Sequence, residues 1–123
     1  VPIWGSGKPR REFLYSDDMA SACVHLMRLP DEAFSRLVAP ARAPLINIGA
    51  GKDITIGELA KLIADVVGYG GEFAYDASKP DGTPRKLLDI SRIGALGWKP
   101  AITLRAGVEL AYQDFRLRFP AVA

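Results

Sequence analysis

Apolar positions along the chain recur with two different periods, and turn residues separate the blocks. Val1 to Trp4 is a short apolar run stopped by the loop sequence Gly5-Ser6-Gly7-Lys8-Pro9. Arg11 to Tyr15 reads as a brief extended segment. Ser16, Asp17 and Asp18 then supply an N-cap and first-turn acids for a helix running to about Leu29, with Pro30 beyond its end. Ala20, Cys23, Val24 and Met27 share one face of that helix, which predicts the side that packs and a buried Cys23. Residues 30 to 44 hold three prolines without a clear period and read as a loop containing one helical turn.

Leu45 to Ile48 reads as a short buried strand ended by Gly49-Ala50-Gly51. Thr55 and Glu58 form a capping box for the next helix. Ile56, Leu59, Ala60, Ile63, Val66 and Val67 give it an i, i+3, i+4, i+7 stripe, and Gly68 ends it. Glu72 to Tyr75 and Lys86 to Ile90 read as strands around the polar loop Asp76 to Pro84. Ser91 caps a short helix that stops at Gly97. Thr103 caps the last one, where Leu104, Val108, Ala111, Phe115 and Phe119 share a face. Strands alternating with helices predict an α/β or small α+β domain.

Composition narrows the function more than the fold. At 123 residues the chain is one domain's worth of protein. Its net charge of +2 is too small to argue for nucleic acid. The basic residues gather instead at Lys8, Arg10 and Arg11 and at Lys79, Arg85 and Lys86, which suits a small polyanion. No apolar stretch approaches the roughly 18 residues of a membrane span. One cysteine excludes an internal disulfide, one histidine argues against a zinc site, and both point to a reducing, cytoplasmic setting. No metal is expected. The start, Val-Pro-Ile-Trp, lacks an initiating Met, so the chain is expected to begin inside a longer one.

Two motif matches are rejected on their surroundings. Tyr75-Asp76-Ala77-Ser78-Lys79 fits Tyr-x-x-x-Lys, an acid/base pair that needs a helix to put Lys one turn from Tyr. Pro80, Asp81 and Gly82 follow directly, so a loop is expected. Gly49-Ala50-Gly51 begins like a dinucleotide fingerprint, but Ile54 stands at the third glycine position and no acidic residue ends a following strand. No cofactor-binding or catalytic residue is therefore expected here. Asp17 and Asp18 are read as first-turn capping acids, and His25 as structural.

Two constellations remain. Trp4 with the glycine loop and Arg11 could cover a sugar or ring and present a planar fork to phosphate, or could be a hairpin loop with solvated cations. The segment Asp76 to Lys86 combines hydroxyl acceptors (Asp81, Thr83) with the cations Arg85 and Lys86 in a loop stiffened by prolines; a polar surface loop is the alternative. A close charge pair is worth about 4 kcal/mol at an effective dielectric near 20, so two or three would hold a diphosphate.

Trp4-Gly5-Ser6-Gly7, Arg11-Glu12-Phe13-Leu14, Asp17-Asp18-Met19-Ala20, Asn47-Ile48-Gly49 and Leu96-Gly97-Trp98 resemble the C-terminal portion of extended short-chain dehydrogenase/reductases. Val66-Val67-Gly68-Tyr69 and the long segment Asp76 to Asp89 resemble, more narrowly, the branch that epimerises and reduces a GDP-4-keto-6-deoxy sugar. The resemblance implies that residues 1–123 are a GDP-sugar-binding C-terminal portion, inactive alone. It also implies an N-terminal Rossmann domain, not in this chain, that binds NADP and carries the catalytic set. By motif position the substrate contacts fall on Trp4, Arg11, Asp81 and Lys86; Arg85 is added on charge. The resemblance implies a cytoplasmic homodimer as the full-length enzyme, with no nucleic-acid or membrane partner. The rival readings are the substrate domain of another nucleotide-sugar epimerase or dehydratase, and a non-catalytic sugar-nucleotide-binding module.

Overall fold

Very short strands, joined by glycine turns, tie distant parts of the sequence together. The computed structural model describes residues 1–39 and 43–120. Strand β1 (Pro2–Trp4) pairs in parallel with β4 (Ala74–Asp76), placing Trp4 opposite Asp76. Strand β2 (Arg10–Glu12) is the centre of a three-stranded sheet, antiparallel to β3 (Asp53–Thr55) and parallel to β5 (Arg85–Lys86). The helices are α1 (Ser16–Met27), α2 (Asp31–Leu37), α3 (Ile56–Val67), α4 (Ser91–Ala95) and α5 (Leu104–Arg118). This is a small mixed α/β fold, as the alternation of periods predicts. No helix among the described residues is long and apolar enough to cross a membrane.

Local signals place several boundaries correctly. Thr55 Oγ1 accepts from the Glu58 amide at 3.1 Å while the Glu58 carboxylate accepts from the Thr55 amide at 2.9 Å, which closes the capping box of α3. Gly68 ends α3 in the left-handed conformation, with φ of 72°. Thr103 Oγ1 accepts from the Ala106 amide and caps α5. In α5, Leu104 and Val108 are half-buried, but Phe115 and Phe119 project from its far end, exposed, with ring centroids 5.2 Å apart.

Other expectations are corrected. The core is the cluster Ala22, Ile93 and Trp98, with Leu14, Leu26, Ile46, Ile48 and Ile90 packed on it. Helix α1 therefore packs through Ala22 and Leu26, not through Ala20, Cys23, Val24 and Met27, and Cys23 is exposed. Its N-cap is Tyr15 with no side-chain hydrogen bond, so Ser16 does not cap it. Asp18 is 4% exposed and accepts from the amides of Ala101 and Ile102 at 3.0 and 2.9 Å, so it ties α1 to the turn before α5. Ser91 likewise does not cap α4 with its side chain; Asp89 accepts from the Ser91 amide instead, which holds its carboxyl below the ordinary range.

The segment expected as a loop with one helical turn forms the seven-residue α2, with Pro30 at its N-cap and Asp31 and Glu32 in the first turn, where acids are favoured. Residues 40–42 of that expectation lie outside the described residues. Leu45 to Ile48 joins no ladder among the described residues, although Ile46 and Ile48 lie against the core. Strand β5 stops at Lys86, because the Leu88 amide turns to the Glu12 carboxylate at 3.1 Å instead of a strand partner.

Candidate functional site

The two sequence constellations meet in space. The Gly5 amide donates to Asp76 O at 2.9 Å, and the Arg10 amide donates to Pro84 O at 2.8 Å, so the loop after β1 runs beside the loop after β4. Ser6 fastens them: its amide and Oγ donate to the two Asp81 oxygens at 2.6 and 2.7 Å. The Ser6 hydroxyl and amide hold the Asp81 carboxyl below its ordinary value of 3.8. Gly5 makes this possible, since its φ is 77° and a side-chain carbon there would collide with Asp81.

Strand alternation then sorts the cations onto two faces. Arg11 and Lys86 are register partners of β2 and β5, so they point to the same side of the sheet. Arg10 and Arg85 are partners in the same ladder and point to the other side. There Asp53, whose side chain is 6% exposed, takes the Arg10 Nε at 2.8 Å and also the Arg85 Nε. These two guanidinium hydrogen bonds hold the Asp53 carboxyl below its usual range, and Asp53 in turn raises Arg10. Arg85, expected at the site, is thus engaged by Asp53 on the opposite face.

Arg11 and Lys86 have no carboxylate within ion-pair distance among the described residues. Arg11 Nη1 donates to Arg10 O at 2.7 Å, while its Nη2 lies beside Gly82, next to the Asp81 latch. Trp4 is 73% exposed, and the Lys79 ammonium sits 5.6 Å from its ring centroid. Lys79 is thus added beside Trp4, Asp81 is latched to Ser6, and Arg11 lies by Gly82 with Lys86 as its register partner. Lys79 over Trp4, and Ser6 as the partner of Asp81, are relations the sequence does not disclose. They depend on pairing β1 with β4, roughly 70 residues apart.

A hollow of about 640 Å³ lies on the other side, lined in part by Arg10, Phe13, Lys52, Asp53, Glu58 and Ile102. Arg10 pairs there with Asp53 and Glu58, while Lys52, which also lines it, has no carboxylate within ion-pair distance among the described residues.

Neither rejected motif gains support. Tyr75 lies in β4 and Lys79 in the turn after it, so the two do not share a helix face. The Tyr75 ring instead packs on Gly7, whose φ of 71° and lack of a side chain leave it room. At the glycine turn, the Glu12 carboxylate accepts from the Gly51 amide at 2.6 Å and would crowd any side chain at Gly49. An acid already in that turn repels a pyrophosphate there. No group of three or more His, Cys, Asp or Glu among the described residues is placed to hold a metal. His25 Nε2 lies 2.9 Å from Leu96 O, a structural contact.

A sequence profile of the NAD dependent epimerase/dehydratase family matches residues 1–49. GDP-L-fucose synthase of Escherichia coli (strain K12) is 54% identical over 115 residues, which are 94% of this chain and 36% of that protein. These similarities cover residues 1–49 for the family profile and nearly the whole chain for the curated relative. The chain spans about a third of the length of the curated relatives it matches. Among solved structures, a GDP-6-OMe-4-keto-L-xylo-heptose reductase from C. jejuni superposes with a TM-score of 0.88 at 39% identity, over 96% of this chain and 34% of that one. A GDP-mannoheptose C4 reductase from Campylobacter jejuni with NADP bound gives 0.80 at 40% identity, over 94% and 34%. The fold matches that of the C-terminal portion of these larger chains.

Proposed function

We propose that this chain is the GDP-sugar-holding part of an NADPH-dependent epimerase–reductase that converts GDP-4-keto-6-deoxy-D-mannose to GDP-L-fucose. The observation that carries the reading is the register pair Arg11 and Lys86: two cations on one face of the sheet with no carboxylate within ion-pair distance among the described residues. Adjacent strands lie about 4.8 Å apart, a spacing that lets both cations engage one diphosphate. Asp81, kept ionised and fixed by Ser6, borders the same face and can accept from a sugar hydroxyl with its remaining lone pairs. Arg85 supports the site from behind by bracing β5 through Asp53. Similarity to GDP-L-fucose synthase over nearly the whole chain supports the choice of substrate.

In this reading the chain does no chemistry itself. The cofactor supplies hydride to C4 of the sugar after acid/base groups have inverted C3 and C5. Those groups, and the NADP site, belong to the part of the family fold that this chain does not span. Holding the diphosphate turns an encounter into a positioned complex, which is the chain's contribution to rate. We place the protein in the cytoplasm as a homodimer. The GDP-heptose reductases of similar fold favour a second reading, in which another GDP-sugar is bound by the same cations.

Titration with GDP-, UDP- and dTDP-sugars tests the proposal. GDP-4-keto-6-deoxy-D-mannose or GDP-L-fucose is expected to bind best. Equal or tighter binding of a UDP-sugar would overturn it, and tighter binding of a GDP-heptose would favour the second reading.

A further inference from the structure

Strand β5 is two residues long, and both of its pairs with β2 set cation against cation: Arg10 opposite Arg85, and Arg11 opposite Lys86. Like charges directly opposite across a ladder are destabilising, so this strand needs a counter-charge to lie where it does. On one face the chain supplies it. Asp53, in β3, reaches past β2 and takes the Nε groups of both Arg10 and Arg85. Its side chain is 6% exposed, which limits screening by salt. Arg10 also lies 3.9 Å from the Glu58 carboxylate, so the chain of charges Glu58, Arg10, Asp53 and Arg85 runs from the start of α3 across all three strands to β5. On the other face, Arg11 and Lys86 have no carboxylate within ion-pair distance among the described residues.

One two-residue ladder carries both faces, so whatever holds one face positions the other. We propose that Asp53 is a positioning residue for the Arg11–Lys86 face, a built-in anion that holds Lys86 opposite Arg11 before any ligand arrives. Asp53 stands on the far side of the sheet from the proposed ligand and acts through Arg85 and the ladder. The diphosphate then meets two cations already spaced for it, instead of having to draw β5 onto β2 itself. Two backbone amides also fasten the segment: Arg10 donates to Pro84 O at 2.8 Å and Leu88 to the Glu12 carboxylate at 3.1 Å. They fix its ends but leave the repulsion between the two arginines unanswered. Without the Asp53 charge a smaller fraction of molecules has β5 docked, and apparent affinity falls with that fraction. The inference rests on the reading that Arg11 and Lys86 hold a diphosphate, and not on which sugar follows it.

Asp53→Asn keeps the shape and removes the charge. Hydrogen exchange of the protein, resolved residue by residue, reads the two sides of β2 separately. The Arg10 amide reports β5, and the Ile56 amide, which donates to Pro9 O at 3.0 Å, reports the β3 side. Without ligand, the Arg10 amide of Asp53→Asn is expected to exchange on the order of 10-fold faster, the lower end for one charged hydrogen bond, with Ile56 changed by less than about twofold. Its Kd for GDP-L-fucose is expected to rise by a similar factor, and saturating ligand to slow the Arg10 amide back toward the parent's rate. Asp53→Glu keeps the charge and is expected to recover most of both losses. Arg10 exchange within about twofold of the parent overturns the proposal. So does equal acceleration at Ile56, which would make Asp53 a general support of the sheet. If Asp53→Asn does not fold, Arg85→Gln is measured in the same way. That change removes the tie and one of the opposed charges together, so a smaller rise at Arg10, about threefold, is expected, and no rise overturns the proposal. Binding weakened by Arg11→Ala and Lys86→Ala but unchanged in Asp53→Asn sinks this inference alone. Unchanged binding in all three sinks the diphosphate reading with it.

Discussion

Replacing Asp18 with Ala is expected to destabilise the fold severely, and replacing its neighbour Asp17 hardly at all. Asp18 is 4% exposed and receives two backbone amides, from Ala101 at 3.0 Å and Ile102 at 2.9 Å. Hydrogen bonds to a charged group contribute about 1.5–3 kcal/mol each, and the substitution also strands two amides that water reaches poorly. Allowing for partial relaxation, the loss is about 3 kcal/mol, a large share of the roughly 5–15 kcal/mol that holds a domain together. With a urea slope of about 1.5–2 kcal/mol per molar, the unfolding midpoint falls by about 1.5–2 M. Trp98, buried beside Ser21, reports the transition by fluorescence. Asp18→Asn keeps the shape but turns an NH2 toward a donor, so it recovers only part of the loss. Asp17 is exposed and touches only the Ser16 hydroxyl at 3.4 Å, so Asp17→Ala stays within about 0.5 kcal/mol. An Asp18→Ala midpoint within experimental error of the parent, or an equal effect at Asp17, would refute the staple.

Gly7→Ala forces a side chain into a residue with φ of 71° against the Tyr75 ring, and is expected to lose about 1–3 kcal/mol in thermal melts; an unchanged melting temperature would contradict this. The Asp81 latch has a folded pKa depressed by Ser6, so its contribution is fully present above the ordinary value of 3.8 and is lost as pH falls through the lower folded value. Followed by NMR, the Ser6 amide is expected to shift with a midpoint below 3.8, and a midpoint at or above 3.8 would contradict the latch. In a chimera in which this chain replaces the matching third of the Escherichia coli relative, Tyr75→Phe is expected to leave turnover within about twofold. A loss in the roughly 100-fold range of a missing general acid would revive the rejected motif.

What could be read in the sequence was set by how far each interaction reaches. The Thr55–Glu58 box, the Gly68 terminus and the Thr103 cap close within three or four residues, so local chemistry locates them. The side of α1 that packs could not be read, because both sides are apolar and periodicity cannot choose between them. Only the placement of Trp98 and Ile93 decides it. Asp18 looked like a capping acid because its true partners are more than eighty residues away. Helix α2 carried its signal in Pro30, Asp31 and Glu32, but the later prolines masked it. At the candidate site, alternation along β2 separates Arg10 from Arg11, yet nothing local says which of Arg85 and Lys86 joins Arg11. The parallel register of β2 with β5 makes that choice, and with it Arg85 goes to Asp53 while Lys86 faces the proposed ligand.

The central claim is that Arg11 and Lys86 hold a diphosphate between them, and calorimetric titration of GDP-L-fucose into the protein and its variants tests it directly. Arg11→Ala and Lys86→Ala are each expected to weaken binding by about 1.5–3 kcal/mol, roughly 10- to 150-fold in Kd. Together they should weaken it by other than the sum, because neighbouring groups on one ligand are coupled. Affinity unchanged within twofold in both single variants would mean that the two cations are solvated surface, and would contradict the account.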